Sequence, residues 1–263
     1  MKPVYFLLLY FLFSSCQKET IDPALIQQST ISSLHTGRIY DITVQLPDDY
    51  STSSESYSTM YVLDAEHDDY FVGIKCKEVS TEYKTQNVIV IGIRYHKSND
   101  RAIDYTPTAT GHGKGGSPSF LNFIKKELIP DIQAKYNVDT LRTSRTIIGH
   151  SFGGLLGAYA FTKHNEVFGN YLLLSPSLFY DKSIILKYEQ EVRESIKSKP
   201  QLVFIGLGSS EGGLIPANEL FHERLNSFYP HTSSTFKLVS GRGHMSSKNI
   251  NIENAIKFYF KNR

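Results

Sequence analysis

Tryptophan is absent from the 263 residues, and cysteine occurs only twice, at Cys16 and Cys76. Two cysteines cannot supply a disulfide framework. No His/Cys cluster has metal-ligand spacing either. Neither bridges nor a structural metal are therefore expected, and a core of this chain length needs none. Charge of one sign is also missing: 28 Lys and Arg face 26 Asp and Glu, a net +2 with no basic stripe. That excludes nucleic acid as an expected partner. Internal repeats and low-complexity blocks are absent too. Aromatic bulk comes from 17 Tyr and 16 Phe, and hydrophobic residues make up 40%. Such a composition and length suit one α/β domain.

The N-terminus has its own pattern. Lys2 precedes an apolar run, Val4 to Phe13, too short for a bilayer core of roughly 30 Å. Ser14-Ser15-Cys16 then sets small residues before a cysteine. Residues 1–15 read as a bacterial lipoprotein signal, with Cys16 as the lipidated residue; an ordinary secretory signal is the alternative. This reading places the protein in the bacterial cell envelope, on the periplasmic or outer-membrane face, touching membrane only through a lipid anchor. Cys76 would then have no intrachain partner and reads as a small buried apolar residue. Residues 16–33 are polar without periodicity and read as a tether, leaving 34–263 as the domain.

Residues 38–46 alternate and are β-branched, the mark of a strand. Residues 59–63 form a short apolar strand. Residues 88–93 (VIVIGI) are almost continuously apolar, as in a parallel strand covered on both faces. Residues 97–118 read as a long functional or mobile loop; they lack the Gly-Lys-Ser/Thr ending of a phosphate loop. Ser117-Pro118 starts a helix, which Pro130 should kink or restart. Strands at 145–148, 171–174, 201–207 and 235–239 then alternate with helices at 153–164, 183–197, 216–228 and near 250–261. That alternation predicts right-handed crossovers and a mostly parallel central sheet with helices on both faces.

Gly149-His150-Ser151-Phe152-Gly153, followed by Gly154, fits the G-x-S-x-G nucleophile elbow. Such a serine sits on a sharp strand-to-helix turn with its hydroxyl exposed, and the flanking glycines avoid clashes there. Strand 145–148 and the small-residue helix 153–164 supply that context. A serine hydroxyl needs a base to take its proton. The chain order Ser, acid, His points to His244, just after the last strand, rather than His222 or His231. His150 is read as shaping the pocket. Glu211 is the only carboxylate in the loop after strand 201–207; Asp181 is the runner-up acid. The backbone N–H of Phe152, at a helix N-terminus, suits an oxyanion. The loop opening with Asp64-Ala65-Glu66 should give a second donor, the N–H of Glu66 or of Ala65.

Taken together these stretches resemble the putative esterase family of α/β-hydrolases, which includes esterase D, enterobactin-type siderophore esterases and feruloyl esterases. The resemblance is carried by Tyr61-Val62-Leu63-Asp64-Ala65, Arg101 through Asp104-Tyr105-Thr106-Pro107, Gly115-Gly116 leading into Phe120-Leu121, Glu127 to Pro130, Gly149 to Gly154, Ser175-Pro176-Ser177 and Gly243-His244. It spans roughly residues 38–260. It implies an α/β-hydrolase fold and ester cleavage without a cofactor. In siderophore-type members a Glu follows the strand before the final His loop, which maps onto Glu211. Ala65 departs from the pattern, where relatives often carry Gly. The expected activity is hydrolysis of a small-molecule ester through an acyl-enzyme, on a siderophore lactone or a carbohydrate-linked ester. Acyl transfer on the same fold, or a surface binding lipoprotein without catalysis, are the alternatives.

Overall fold

A computed structural model describes residues 20–51, 53–97 and 99–263. Cys16 and the segment 1–15 lie outside the described residues. In chain order the elements are β1 (Ile26–Ser32), β2 (Ile39–Gln45), β3 (Thr59–Val62), α1 (Ala65–Tyr83), β4 (Ile89–Tyr95) and α2 (Arg101–Asp104). A small hairpin, β5 (Ala109–Thr110) and β6 (Gly113–Lys114), leads to α3 (Ser117–Phe123), a π-turn (Ile124–Leu128) and α4 (Ile129–Lys135). The second half runs β7 (Arg145–His150), α5 (Phe152–Lys163), β8 (Asn170–Leu174), α6 (Tyr180–Ile196), β9 (Gln201–Gly208), α7 (Ile215–Phe228), β10 (Thr232–Val239) and α8 (Lys248–Asn262).

Eight strands form one sheet in the order β1-β2-β4-β3-β7-β8-β9-β10. β1 and β2 pair antiparallel with their neighbours, and β4, β3, β7, β8, β9 and β10 run parallel to one another. This is the α/β-hydrolase arrangement expected from the sequence. Both faces of the central strands are apolar because both are covered. Met60, Val62, Leu172, Leu174 and Phe204 point to the face of α1 and α8, where Val72, Cys76, Ile252 and Ile256 meet them. Tyr61, Leu63, Tyr171, Leu173 and Ile205 point to the other face, against α3 to α7 residues such as Phe120, Leu155 and Phe221. Cys76 is buried, as read from the sequence.

Pro130 acts where it was expected to, by restarting the helix. Its missing N–H and its ring deny an ordinary i−4 bond to the preceding turn. The chain widens into the π-turn, and Ile129 N–H donates to the Ile124 carbonyl five residues back. Residues 97–118, read as loop, contain α2 and the β5–β6 hairpin. The helix α1 was not foreseen at all.

The tether needs correction. Asp22 caps a 3₁₀ turn at Pro23–Leu25, and residues 26–32 form β1, paired with β2 over seven rungs. Ile21 is 7% exposed and packs over Gly73 of α1. These residues looked like linker because β1 is an edge strand, so most of its side chains face water and it shows no apolar alternation. A chain beginning at Ser33 should therefore be less stable than one beginning at Thr20, by about 2 kcal/mol or more for the lost burial of Ile21 and Ile31. Equal midpoints in a denaturant titration would contradict that docking.

Candidate active site

Ser151 stands between β7 and α5 with φ 60° and ψ −115°. Its N–H donates to the Leu174 carbonyl (2.9 Å), and its own carbonyl accepts from Leu155 (3.0 Å) and Ser177 (3.2 Å) N–H groups. The glycine requirement is narrower than the motif implies. A Cβ on Gly149 would lie 2.6 Å from the Gly153 carbonyl carbon, and one on Gly154 would lie 2.8 Å from Pro176 Cβ. A Cβ on Gly153 would meet nothing closer than 3.5 Å. The close crossing of β7 and α5 therefore rests on Gly149, and the approach of α5 to the turn after β8 rests on Gly154.

His244 follows β10, and its Nδ1 lies 2.7 Å from Glu211 Oε2. Only 2% of the Glu211 side chain is exposed. Its other oxygen accepts from Gly208 N–H (2.6 Å), Ser175 Oγ (2.9 Å) and Ser247 Oγ (3.1 Å). Burial pushes this carboxyl up. The hydrogen bonds from His244, Gly208 and Ser175 outweigh that and hold it below the usual carboxylate range. An ionised carboxylate only accepts, so Nδ1 of neutral His244 carries the proton and Nε2 presents a lone pair. Ser151 and His244 line one cleft of about 420 Å³, together with Asp64, Glu66, Asp68, Asn99, Arg101, His150, Met245 and Lys248.

The competing residues lie elsewhere. Asp181 accepts from Thr108 Oγ1 (2.6 Å) at the start of α6. His222 stacks on Phe236, and the His231 carbonyl accepts from Gln201 at the opposite end of the sheet. Phe152 is the first residue of α5 and Glu66 the second of α1, so neither N–H has an intrahelical partner. The Glu66 side chain accepts from Tyr95 N–H (3.0 Å).

Four residues were missed in these roles. Ser175 and Ser247 hold Glu211. Arg101 binds both oxygens of Asp64 (3.0 and 2.9 Å) and reaches the His150 carbonyl (3.4 Å). His150 Nε2 lies 3.0 Å from the His244 carbonyl, and the two rings are 4.5 Å apart. Burial first, then the nearby His244, push His150 down to about 4. It is therefore neutral and its Nε2–H donates to that carbonyl. The signals were present in the Arg101 to Pro107 and Ser175-Pro176-Ser177 stretches, but a single chain does not say which partners they meet. Among the described residues no group of three or more His, Cys, Asp or Glu converges as a metal site would require.

The model of the putative esterase family matches residues 33–230. The chain belongs to that family. It is an esterase, a carboxylic-ester hydrolase on the α/β-hydrolase fold. Ferri-bacillibactin esterase BesA of Bacillus subtilis is 26% identical over 257 residues, covering 87% of each chain. The BES protein of Bacillus cereus superposes with a TM-score of 0.80 at 23% identity, over 93% of this chain and 98% of that one. An IroE-like serine hydrolase of Shewanella oneidensis gives 0.80 at 25% identity, over 90% and 80%.

The state of His150 has a thermodynamic consequence. The unfolded chain takes a proton near the ordinary 6.5, and the folded protein refuses it until about 4. The unfolded state thus binds more protons between those values, so stability falls as pH drops through that window. His150→Gln keeps an N–H donor and does not titrate. Its stability should decline less than the parent's between pH 6.5 and 4 in denaturant titrations; equal declines would show that another group is responsible.

Proposed function

We propose that this esterase works through a Ser151–His244–Glu211 triad and an acyl-enzyme, on a small-molecule ester of the siderophore-lactone type. The observation that carries the reading is the conjunction at one cleft of a serine in the strained elbow conformation and a histidine held by a buried carboxylate. His244 Nε2 takes the Ser151 proton as Oγ attacks the ester carbonyl. The N–H groups of Phe152 and Glu66 receive the oxyanion, and Glu211 stabilises the imidazolium. His244 then returns the proton to the leaving alcohol oxygen. Water, deprotonated by the same imidazole, releases the acid and restores Ser151.

The substrate class draws support from BesA, a ferri-bacillibactin esterase by name, and from a siderophore triacetylfusarinine C esterase of Aspergillus fumigatus, 33% identical over 106 residues. Ser151→Ala should remove hydrolysis of p-nitrophenyl acetate and of a trilactone siderophore, by on the order of 10⁶ in turnover. Glu211→Gln should lower turnover by up to roughly 10⁴ without unfolding the protein. Product analysis by mass spectrometry reads both. Full activity in purified Ser151→Ala would sink the reading. Hydrolysis of feruloyl or acetyl sugar esters with the trilactone untouched would replace the substrate class and keep the triad.

The anchor at Cys16 belongs to the same proposal. From Cys16 to the docked Ile21 is five positions, at most about 18 Å of extended chain. Ile21 packs beside Gln45, which pairs with Val90 near the start of β4, whereas Tyr95 at the other end of β4 meets Glu66 at the cleft. A lipidated Cys16 would hold the domain close to the bilayer with the cleft at the far end. Cys16→Ser should move the protein to the soluble fraction on cell fractionation; unchanged membrane association would refute the anchor.

A further inference from the structure

Asp64 occupies the N-cap of α1 and does not behave as an aspartate usually does there. An N-cap aspartate normally turns its carboxylate onto the first-turn N–H groups of its own helix. Asp64 makes no such bond. It sits in the left-handed region at φ 53°, and Arg101 takes both carboxylate oxygens in a two-pronged grip. The same guanidinium reaches the His150 carbonyl at 3.4 Å and lies over the Phe152 ring at 5.7 Å from its centre. Arg101 thus touches the segment before α1 and both residues flanking Ser151. The mechanism above uses none of this.

We infer that Arg101 is a positioning residue: it draws the Asp64 carboxylate off the first turn of α1, so that the Glu66 N–H stays open to the oxyanion. The inference rests on the oxyanion role given to that N–H above. The first four N–H groups of a helix have no intrahelical partner and attract the nearest anion. Without Arg101, the Asp64 carboxylate is an unpaired anion at the N-cap, the position from which an aspartate side chain ordinarily reaches those N–H groups. Its carboxylate would occupy the donors and set a negative charge where the transition state develops its own. Arg101 is therefore needed less for its charge in the cleft than for what it withholds from the helix.

This predicts an unusual pattern between two substitutions. On p-nitrophenyl acetate, a neutral ester that offers Arg101 no anion to grip, Arg101→Met should lower kcat by about 100-fold or more, the scale of losing one oxyanion donor, with KM within about threefold. Adding Asp64→Gly removes the competing carboxylate and suits the left-handed conformation. The double variant should regain at least about tenfold in kcat over Arg101→Met alone. A trifluoromethyl ketone, whose adduct with serine carries an oxyanion, should lose and regain affinity in step. If Arg101→Met does not fold, Arg101→Gln carries the same comparison. A double variant no faster than the single one overturns the inference, as does a loss that lies in KM. A kcat loss with full ketone affinity also overturns it and leaves Ser151 and His244 in place. An active Ser151→Ala protein would instead remove the catalytic reading on which it rests.

Discussion

A serine at φ 60° and ψ −115° holds a conformation costing a non-glycine residue on the order of 1–3 kcal/mol. It persists because the surroundings leave no relaxed alternative. The Ser151 N–H is tied to Leu174, and its carbonyl is taken by two N–H groups from α5 and from the turn after β8. β7 and α5 can cross this closely only where Gly149 has no Cβ to strike Gly153. The buried apolar residues on both faces of the sheet then fix β7 between β3 and β8. The strain at one residue is thus sustained by the packing of the whole domain.

The charges around that serine are ordered by the same frame. A buried carboxylate would ordinarily gain a proton, since desolvation disfavours its charge. Glu211 stays ionised because four donors from three segments of the chain, Ser175, Gly208, and His244 with Ser247, converge on its two oxygens. Ser175 is itself at positive φ, 42°, with its N–H on the Gly206 carbonyl. A second serine in the left-handed region therefore holds the Glu211 carboxylate, close to the strained Ser151. A continuous path of polar contacts follows: Asp64 to Arg101, Arg101 to the His150 carbonyl, the His150 ring to the His244 carbonyl, and His244 to Glu211.

The central strands and the elbow were legible because they obey local rules. VIVIGI cannot alternate polar and apolar when both faces are covered, and G-x-S-x-G carries its own steric reason. Glu211 could be named because the loop after β9 holds a single carboxylate. The helix α1 was hidden because its apolar stripe is thin: Val72, Cys76 and Val79 stand among Lys75, Lys77 and Glu78. The edge strand β1 was hidden because polar side chains suffice where one edge and most of both faces meet water. The left-handed run at Asp181, Lys182 and Ser183 violates local preference outright, so no local reading could supply it.

Arg101 and His150 show a different kind of illegibility. Nothing in an Arg-x-x-Asp-Tyr stretch says that the arginine faces an aspartate 37 residues earlier while Asp104 faces Arg38, Tyr40 and Tyr95. The short helix α2 is gripped from both sides. Asp104 is fully buried and binds it to the antiparallel edge of the sheet, while Arg101 binds it to the C-terminal ends of the parallel strands β3 and β7. An arginine with one anchored end can place its fork repeatably on Asp64, whereas a free surface arginine would lose that geometry to side-chain entropy. The precision of the cleft therefore depends on a carboxylate that never enters it: Asp104 fixes the helix, the helix fixes Arg101, and Arg101 fixes the segment that opens α1 toward Ser151.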